Sequence, residues 1–313
     1  MSDLENIVQF KLLIDNSFTS INTDHEITPT ENKNVLSVIN DFVDGAWRYS
    51  KFQRFIWDNI AETALSAKER DSLVGQAQTL LAEAAKNLRL TDKEGDISKG
   101  SELSEILLYG IMKHHYKALP IVPKIFYKQN PQDNAKGADS VHIVLEGEDD
   151  FSIWFGEAKF YNSIENARIA SIVESIGNSL QSDKLEKENS IITNVSDIDS
   201  LIESSELRGR IRRALMQSSS LDDLKPKLHV PIMLLHECEL TKNETTLNDD
   251  YKRNLIAYHE ERSQAFFKKQ IEKLGTTVFK YSEITFHVIL FPVPSKDTVV
   301  EKFLSNVEHY KNQ

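Results

Sequence analysis

Two alternating stretches near the middle of the chain accept only one pairing. In residues 138–146 the apolar positions Val141, Ile143 and Leu145 are odd-numbered, and in residues 151–159 so are Phe151, Ile153 and Phe155. Antiparallel partners share a constant sum of residue numbers. Val141 with Phe155, Ile143 with Ile153 and Leu145 with Phe151 all give 296. A slip of one residue would turn one apolar set to the opposite face, so the pattern specifies a hairpin with one continuous apolar side. One step further, the same register sets Asp139 opposite Glu157, with Lys159 two residues on and on the same face. One end of the hairpin is therefore apolar, and the other gathers an Asp, a Glu and a Lys.

Two carboxylates placed opposite each other repel. A divalent cation removes the conflict. Asp139, Glu157 and a backbone carbonyl, here that of Ala158, make a hard oxygen set suited to Mg²⁺, with Mn²⁺ expected to substitute. Such a cation generates a hydroxide nucleophile and neutralises charge on a transferring phosphoryl group. A lysine beside it orients or deprotonates the attacking water and stabilises developing negative charge. The combination is an outfit for phosphodiester hydrolysis. The alternative is structural: an Asp139–Lys159 salt bridge closing a sheet end while Glu157 faces water.

The elements around the hairpin read as an α/β domain with a mixed central sheet flanked by helices. Residues 1–97 are expected to be a mostly helical N-terminal region, partner-binding or regulatory. Val35, Val38, Ile39 and Phe42 recur at helical spacing, and Ser66-Ala67-Lys68-Glu69 fits a capping box opening a helix that runs to about Leu88. The polar stretch 91–100 carries two glycines and is the expected boundary with a domain over 98–313. That domain opens with a helix over 101–116, apolar on two sides and so expected between a sheet and another layer. A strand over 124–128 follows, then a polar loop over 129–137 and the hairpin. After these come a helix over 164–180, a polar insertion over 181–228 with a helix at 197–216, a strand over 229–238, a helix over 247–274, a strand over 284–293 and a closing helix over 298–310.

The run Gly137-Ala138-Asp139, then seventeen residues, then Glu157-Ala158-Lys159 resembles the PD-(D/E)XK nuclease signature, with Ala138 where that motif has proline. The order helix, three strands, helix, strand is similar to that restriction-endonuclease-like core. The wider pattern is similar to the HamA subunit of Hachiman anti-phage defence systems. It is carried by Gly45-Ala46-Trp47-Arg48, Ser104-Glu105-Ile106-Leu107-Leu108-Tyr109, Gly156-Glu157-Ala158-Lys159-Phe160-Tyr161 and His287-Val288-Ile289-Leu290-Phe291-Pro292-Val293. The resemblance implies a metal-dependent DNA nuclease acting with a superfamily 2 helicase, HamB. It also implies a further acid on the helix before the sheet. Glu102 and Glu105 both qualify, and Glu105 is preferred because it shares a face with Leu108 and Met112 and lies in the resembling stretch. An RNA nuclease would share this chemistry. A non-catalytic nucleic-acid- or protein-binding subunit on the same fold is the reading from another class, and the Asp-Glu-Lys set argues against it.

Charge limits how such a protein could hold nucleic acid. The chain carries 37 Lys and Arg against 48 Asp and Glu, a net −11, and residues 1–100, 101–180 and 181–313 are each net acidic. Bulk attraction to phosphates is excluded. The densest basic run, Arg208, Arg210, Arg212 and Arg213, could touch a phosphate backbone or pair with Glu203 and Glu206. Lys268, Lys269 and Lys273 read as a solvated helix face. There is no Gly-x-x-x-x-Gly-Lys-Ser/Thr loop, hence no sign of an NTPase motor, which leaves strand delivery to a partner. The single cysteine, Cys238, rules out an internal disulfide and any multi-cysteine zinc site. His236, Cys238 and His287 could meet on neighbouring strands, but buried strand positions explain each. His114 and His115 are adjacent and point apart, and Trp47, Phe52, Phe55 and Trp57 at near-helical spacing read as core. No apolar run reaches membrane-spanning length, and the acidic start, Met1-Ser2-Asp3-Leu4-Glu5, is unlike a secretory signal. A cytoplasmic location is expected.

Overall fold

The computed structural model describes residues 9–89, 100–128, 138–147, 150–181, 185–186, 202–215 and 221–313. The described strands are β1 (Lys11–Ser17), β2 (Lys33–Ile39), β3 (Phe42–Val43), β4 (Ala46–Trp47), β5 (Leu119–Val122), β6 (Ser140–Glu146), β7 (Asp150–Tyr161), β8 (Leu228–Glu237) and β9 (Thr285–Val293). The described helices are α1 (Phe18–Ile21), α2 (Tyr49–Ala64), α3 (Ala67–Ser72), α4 (Ala77–Lys86), α5 (Ser101–His114), α6 (Lys124–Lys128), α7 (Asn166–Ser179), α8 (Ser205–Leu215), α9 (Leu221–Leu224), α10 (Glu239–Lys242), α11 (Asp249–Leu274) and α12 (Lys296–Lys311).

Seven strands form one sheet in the order β1-β2-β9-β8-β7-β6-β5. The central pairs β2–β9, β9–β8 and β8–β7 are parallel, and the outer pairs are antiparallel. Strand β9 is buried from Phe286 to Val293, the unbroken apolar run of a strand covered on both faces. Ile153, Phe155, Ile232, Leu234, Val288 and Leu290 join one core cluster with α7 and α11. Trp154, Ala158, Met233, Leu235, Ile289 and Phe291 join the other with α2, α5 and α12. The result is a three-layer α/β/α arrangement.

The hairpin register is as expected: Val141 faces Phe155, Ile143 faces Ile153 and Leu145 faces Phe151. Helix α5 is buried without interruption from Leu103 to Met112, between the sheet and α2. It approaches α2 so closely that a Cβ on Gly110 would meet the Phe55 ring at 2.5 Å. Helices α7, α11 and α12 and strands β8 and β9 fall within a few residues of their expected spans.

Three expectations are corrected. The stripe Val35, Val38, Ile39 belongs to strand β2, which pairs in parallel with β9, and β1 adds a further strand, so residues 9–89 are not mostly helical. All but one residue of β2 are buried, and a short apolar run covered on both sides carries no strand period to distinguish it from a helix. The capping box is present, but its helix stops at Ser72. Gly75 then takes φ +84° and a separate helix begins at Ala77. The strand expected at 124–128 lies at Leu119–Val122, and residues 124–128 form α6. Pro120 is tolerated because β5 is the sheet's edge, and Pro123 stands directly before α6, where a missing N–H costs nothing. The expected boundary at 91–100, the loop at 129–137 and much of the insertion helix before Ser205 lie outside the described residues.

Candidate active site

The regular β6–β7 ladder ends at Ser140 opposite Gly156. Asp139 does not simply continue it. Its N–H donates to the Gly156 carbonyl at 2.7 Å, and its Oδ2 accepts from the Ala158 N–H at 3.0 Å. The Lys159 Nζ lies 3.4 Å from that same Asp139 oxygen and donates to Glu157 Oε2 at 3.0 Å. The Ser175 hydroxyl on α7 donates to Glu157 Oε2 at 3.5 Å. Asp139, Glu157 and Lys159 thus converge at one end of the hairpin. The Ala158 N–H aims the Asp139 carboxylate.

The cluster is largely withdrawn from water, with side-chain exposures of 15% for Asp139, 8% for Glu157 and 25% for Lys159. Burial pulls the Lys159 pKa down, but the charges of Asp139 and Glu157 and the hydrogen bond to Glu157 outweigh it and hold the ammonium well above the usual lysine value. The ammonium lies between the two acids, placed to orient water and stabilise negative charge.

The two acids on α5 separate clearly. Glu105 is 7% exposed and lines a small pocket with Tyr109, Lys124, Asp139 and Ser140. Glu102 turns away, and its Oε1 accepts from the Arg89 N–H at 2.9 Å. Glu105, not Glu102, therefore shares a pocket with Asp139. Gly156 is dictated by crowding: a Cβ there would meet Ser140 Oγ at 2.2 Å and Leu108 Cδ2 at 2.8 Å.

Other candidates disperse. Arg210 on α8 pairs with Glu206 at 3.8 Å and its charge lowers the pKa of Asp150, after the larger effects of Lys227 and the Phe151 N–H. Asp150 starts β7, seven residues before Glu157, so this contact is about 23 Å along the strand from the acids. Arg212 and Arg213 are exposed on the same helix. Lys268 pairs with Asp24 and Lys269 with Glu272, as a solvated face would. His236, Cys238 and His287 do not assemble: His236 bonds His259 at 3.2 Å and His287 bonds His229 at 3.0 Å. Among the described residues no group of three or more His, Cys, Asp or Glu could hold a metal by those side chains alone. Trp47, Phe52, Phe55 and Trp57 are buried core.

Sequence reasoning missed Lys124, Ser140 and Ser175, which reach the site from elements with no signal at those positions. It also missed a buried chain of polar groups. The His236 Nδ1–H donates to the Glu237 carbonyl, the His259 Nε2–H donates to His236 Nε2, and the Ser37 hydroxyl donates to His259 Nδ1 at 2.7 Å. The carbonyl accepts only, and this sets every tautomer in the chain.

A family model for HamA matches residues 15–307 of the 313. The chain belongs to the HamA family. The match spans both the α2–α5 layer and the β6–β7 hairpin, and marks a Hachiman defence-related protein, of a family that belongs to a defence system with a partner. No curated protein matches the chain at a significant level. No helix among the described residues is long and apolar enough to cross a membrane.

Proposed function

We propose that this HamA protein is a Mg²⁺-dependent nuclease with a PD-(D/E)XK-type core, cutting DNA as the effector of a Hachiman system beside a helicase subunit. One observation carries the reading: oxygens of Asp139 and Glu157 converge on a single ammonium, at 3.4 and 3.0 Å from Lys159 Nζ. Two carboxylates that can share one cation at that separation are a fit donor set for a divalent ion, and Glu105 lines a small pocket with Asp139. The order α5, β5-β6-β7, α7, β8 supports the same core.

When bound, Mg²⁺ would supply an activated water and charge neutralisation at the phosphorus. Asp139 and Glu157 would hold it. The Ala158 N–H and the Ser175 hydroxyl keep the two carboxylates aimed, so little reorganisation is left for the reaction. Lys159 orients the attacking water and offsets negative charge on the phosphoryl oxygens. The net charge of −11 leaves little means of gripping DNA by bulk attraction, which favours delivery by a translocating partner.

The test is cleavage of plasmid DNA by the HamA–partner complex in Mg²⁺, Mn²⁺ or EDTA. Metal-dependent nicking or linearisation, absent in Asp139→Ala, is expected. Wild-type cleavage rates in Asp139→Ala under saturating Mg²⁺ would remove the hairpin from the chemistry.

A further inference from the structure

Strand β7 keeps its register with β8 from Glu157 to Tyr161, so Glu157, Lys159 and Tyr161 stand on one face at steps of about 7 Å. The mechanism above uses the first two. Tyr161 is buried in the core cluster that α7 also joins. Arg168, the third residue of α7, lies over the Tyr161 ring with its guanidinium carbon 5.6 Å from the centroid. Arg168 is nonetheless exposed. Among the described residues no carboxylate pairs with it and no hydrogen bond uses its side-chain N–H donors. Glu165, three residues before it, is held instead by Arg262 at 2.8 Å. An exposed cation with its donors open thus stands one strand step beyond Lys159, where Arg210, Lys268 and Lys269 are each paired with an acid.

We infer that Arg168 is a phosphate-binding residue of this nuclease, taking the non-bridging oxygens of the DNA phosphodiester next to the one that is cut. The inference rests on the nuclease reading. Contact with the Tyr161 ring takes none of the guanidinium's N–H donors, which remain as the fork that matches two phosphate oxygens. The ring also holds a long side chain in place before the strand arrives, which lowers the entropy lost on binding. A backbone with its scissile phosphate at Asp139 and Glu157 brings a neighbouring phosphate to Arg168. With a net charge of −11 the chain has no bulk attraction for DNA, and one fixed cation beside the acids sets the register of the strand against them.

The test is steady-state cleavage of a labelled DNA duplex in Mg²⁺ across a salt series, by the isolated full-length protein and by its complex with the partner, for wild type, Arg168→Met and Arg168→Lys. Arg168→Met keeps an apolar stem over the Tyr161 ring and removes the charge. Wherever wild type cleaves, this variant should raise KM about tenfold with kcat within about twofold, and the log–log salt slope of KM should fall by about one. Arg168→Lys keeps the charge without the fork, so it should keep the slope and recover only part of the affinity. A structural role alone would lower the melting temperature of Arg168→Met and leave the salt slope as in wild type. A wild-type KM in Arg168→Met, a loss confined to kcat, or full recovery by Arg168→Lys would overturn the inference and leave the nuclease reading intact. No metal-dependent cleavage by wild type in either preparation would overturn the nuclease reading and the inference with it.

Discussion

Gly156 packs against Ser140 so closely that a Cβ added to it would sit 2.2 Å from the Ser140 hydroxyl oxygen. The contact joins the last regular pair of the hairpin to the first acid of the site, because Glu157 follows Gly156 and Asp139 precedes Ser140. Gly156→Ala should force the strands apart at that point, with Leu108 and Pro231 also in the way. Overpacking of this kind costs about 1–3 kcal/mol. Urea unfolding should register that loss, and cleavage should fall further than stability does, because the Asp139–Ala158 hydrogen bond shifts with the strand. A variant with unchanged midpoint and activity would show the pair to be plastic.

The repulsion between facing carboxylates is not left open in the folded chain, because Lys159 lies between them. Removing one acid should therefore weaken the protein. Asp139→Ala deletes the acceptor for the Ala158 N–H and half of Lys159's compensation, and a loss of about 1–3 kcal/mol is expected. Asp139→Asn keeps an acceptor and should lose less. Denaturant midpoints that rank Ala above Asn would contradict this geometry.

Lys159→Met removes the ammonium that lies between Asp139 and Glu157. The metal-free variant should melt below wild type, and Mn²⁺ should raise its melting temperature by more than it raises wild type's, since the ion takes over the ammonium's place between the acids. Cleavage should stay low even with metal saturating. Equal thermal shifts in the two proteins would mean that the lysine and the ion do not compete.

Acid should unfold this protein early. His236 is held down to about pKa 4 by burial, partly offset by the Glu237 carbonyl, and wholly buried His142 is held down to about 3 by burial. His259 and His287 lie well below the ordinary histidine value, chiefly through burial and then through neighbouring histidines. Each folded-state pKa is depressed, so the unfolded chain binds more protons below about pH 6.5. Stability is complete above that pH and falls as pH drops toward 4. A histidine of this kind removes about 2 kcal/mol between pH 6.5 and 5. The His142 ring nitrogens find no hydrogen-bond partner among the described residues, and the ring packs against Tyr109 at 5.1 Å. His142→Phe should therefore be neutral or stabilising at pH 7 and should flatten the loss between pH 6.5 and 5 by about that amount. An unchanged slope in paired urea titrations would place the acid sensitivity elsewhere.

The hairpin and its acids were legible because a period of two leaves no freedom once both strands are apolar on one side. Strand β2 was not, since Val35 to Ile39 is covered on both faces and shows no alternation. The role of Glu105 could be narrowed but not decided from α5 alone. Glu102 is set apart by the Arg89 N–H it accepts, a contact across 13 residues that periodicity does not carry. Lys124 was misplaced for a related reason: an apolar pair, Ile125 and Phe126, after a proline reads as easily as a strand as the short helix it forms. The His236–His259–Ser37 chain joins β8, α11 and β2, and it becomes visible only when the parallel sheet is assembled.

Control of cleavage follows from charge. A net −11 and no basic third of the chain mean weak phosphate binding at physiological salt. Arg212 and Arg213, exposed on α8, are the most accessible members of the densest basic run, but α8 lies toward the end of the hairpin remote from the acids. They would meet a strand well away from the scissile position. The isolated protein is expected to cleave plasmid DNA feebly at physiological salt and more strongly as salt is lowered. Arg212→Glu with Arg213→Glu should reduce the salt dependence of DNA binding by about two in the log–log slope and leave the metal affinity of the hairpin site unchanged. A protein restrained by its partner behaves differently: alone it should cut faster than the nucleotide-free complex at every salt concentration, and ATP should release the complex. Cleavage of one plasmid by the subunit and by the complex, with and without ATP across a salt series, separates the two. Equal, salt-insensitive and ATP-independent rates in both preparations would sink weak grip and imposed restraint together.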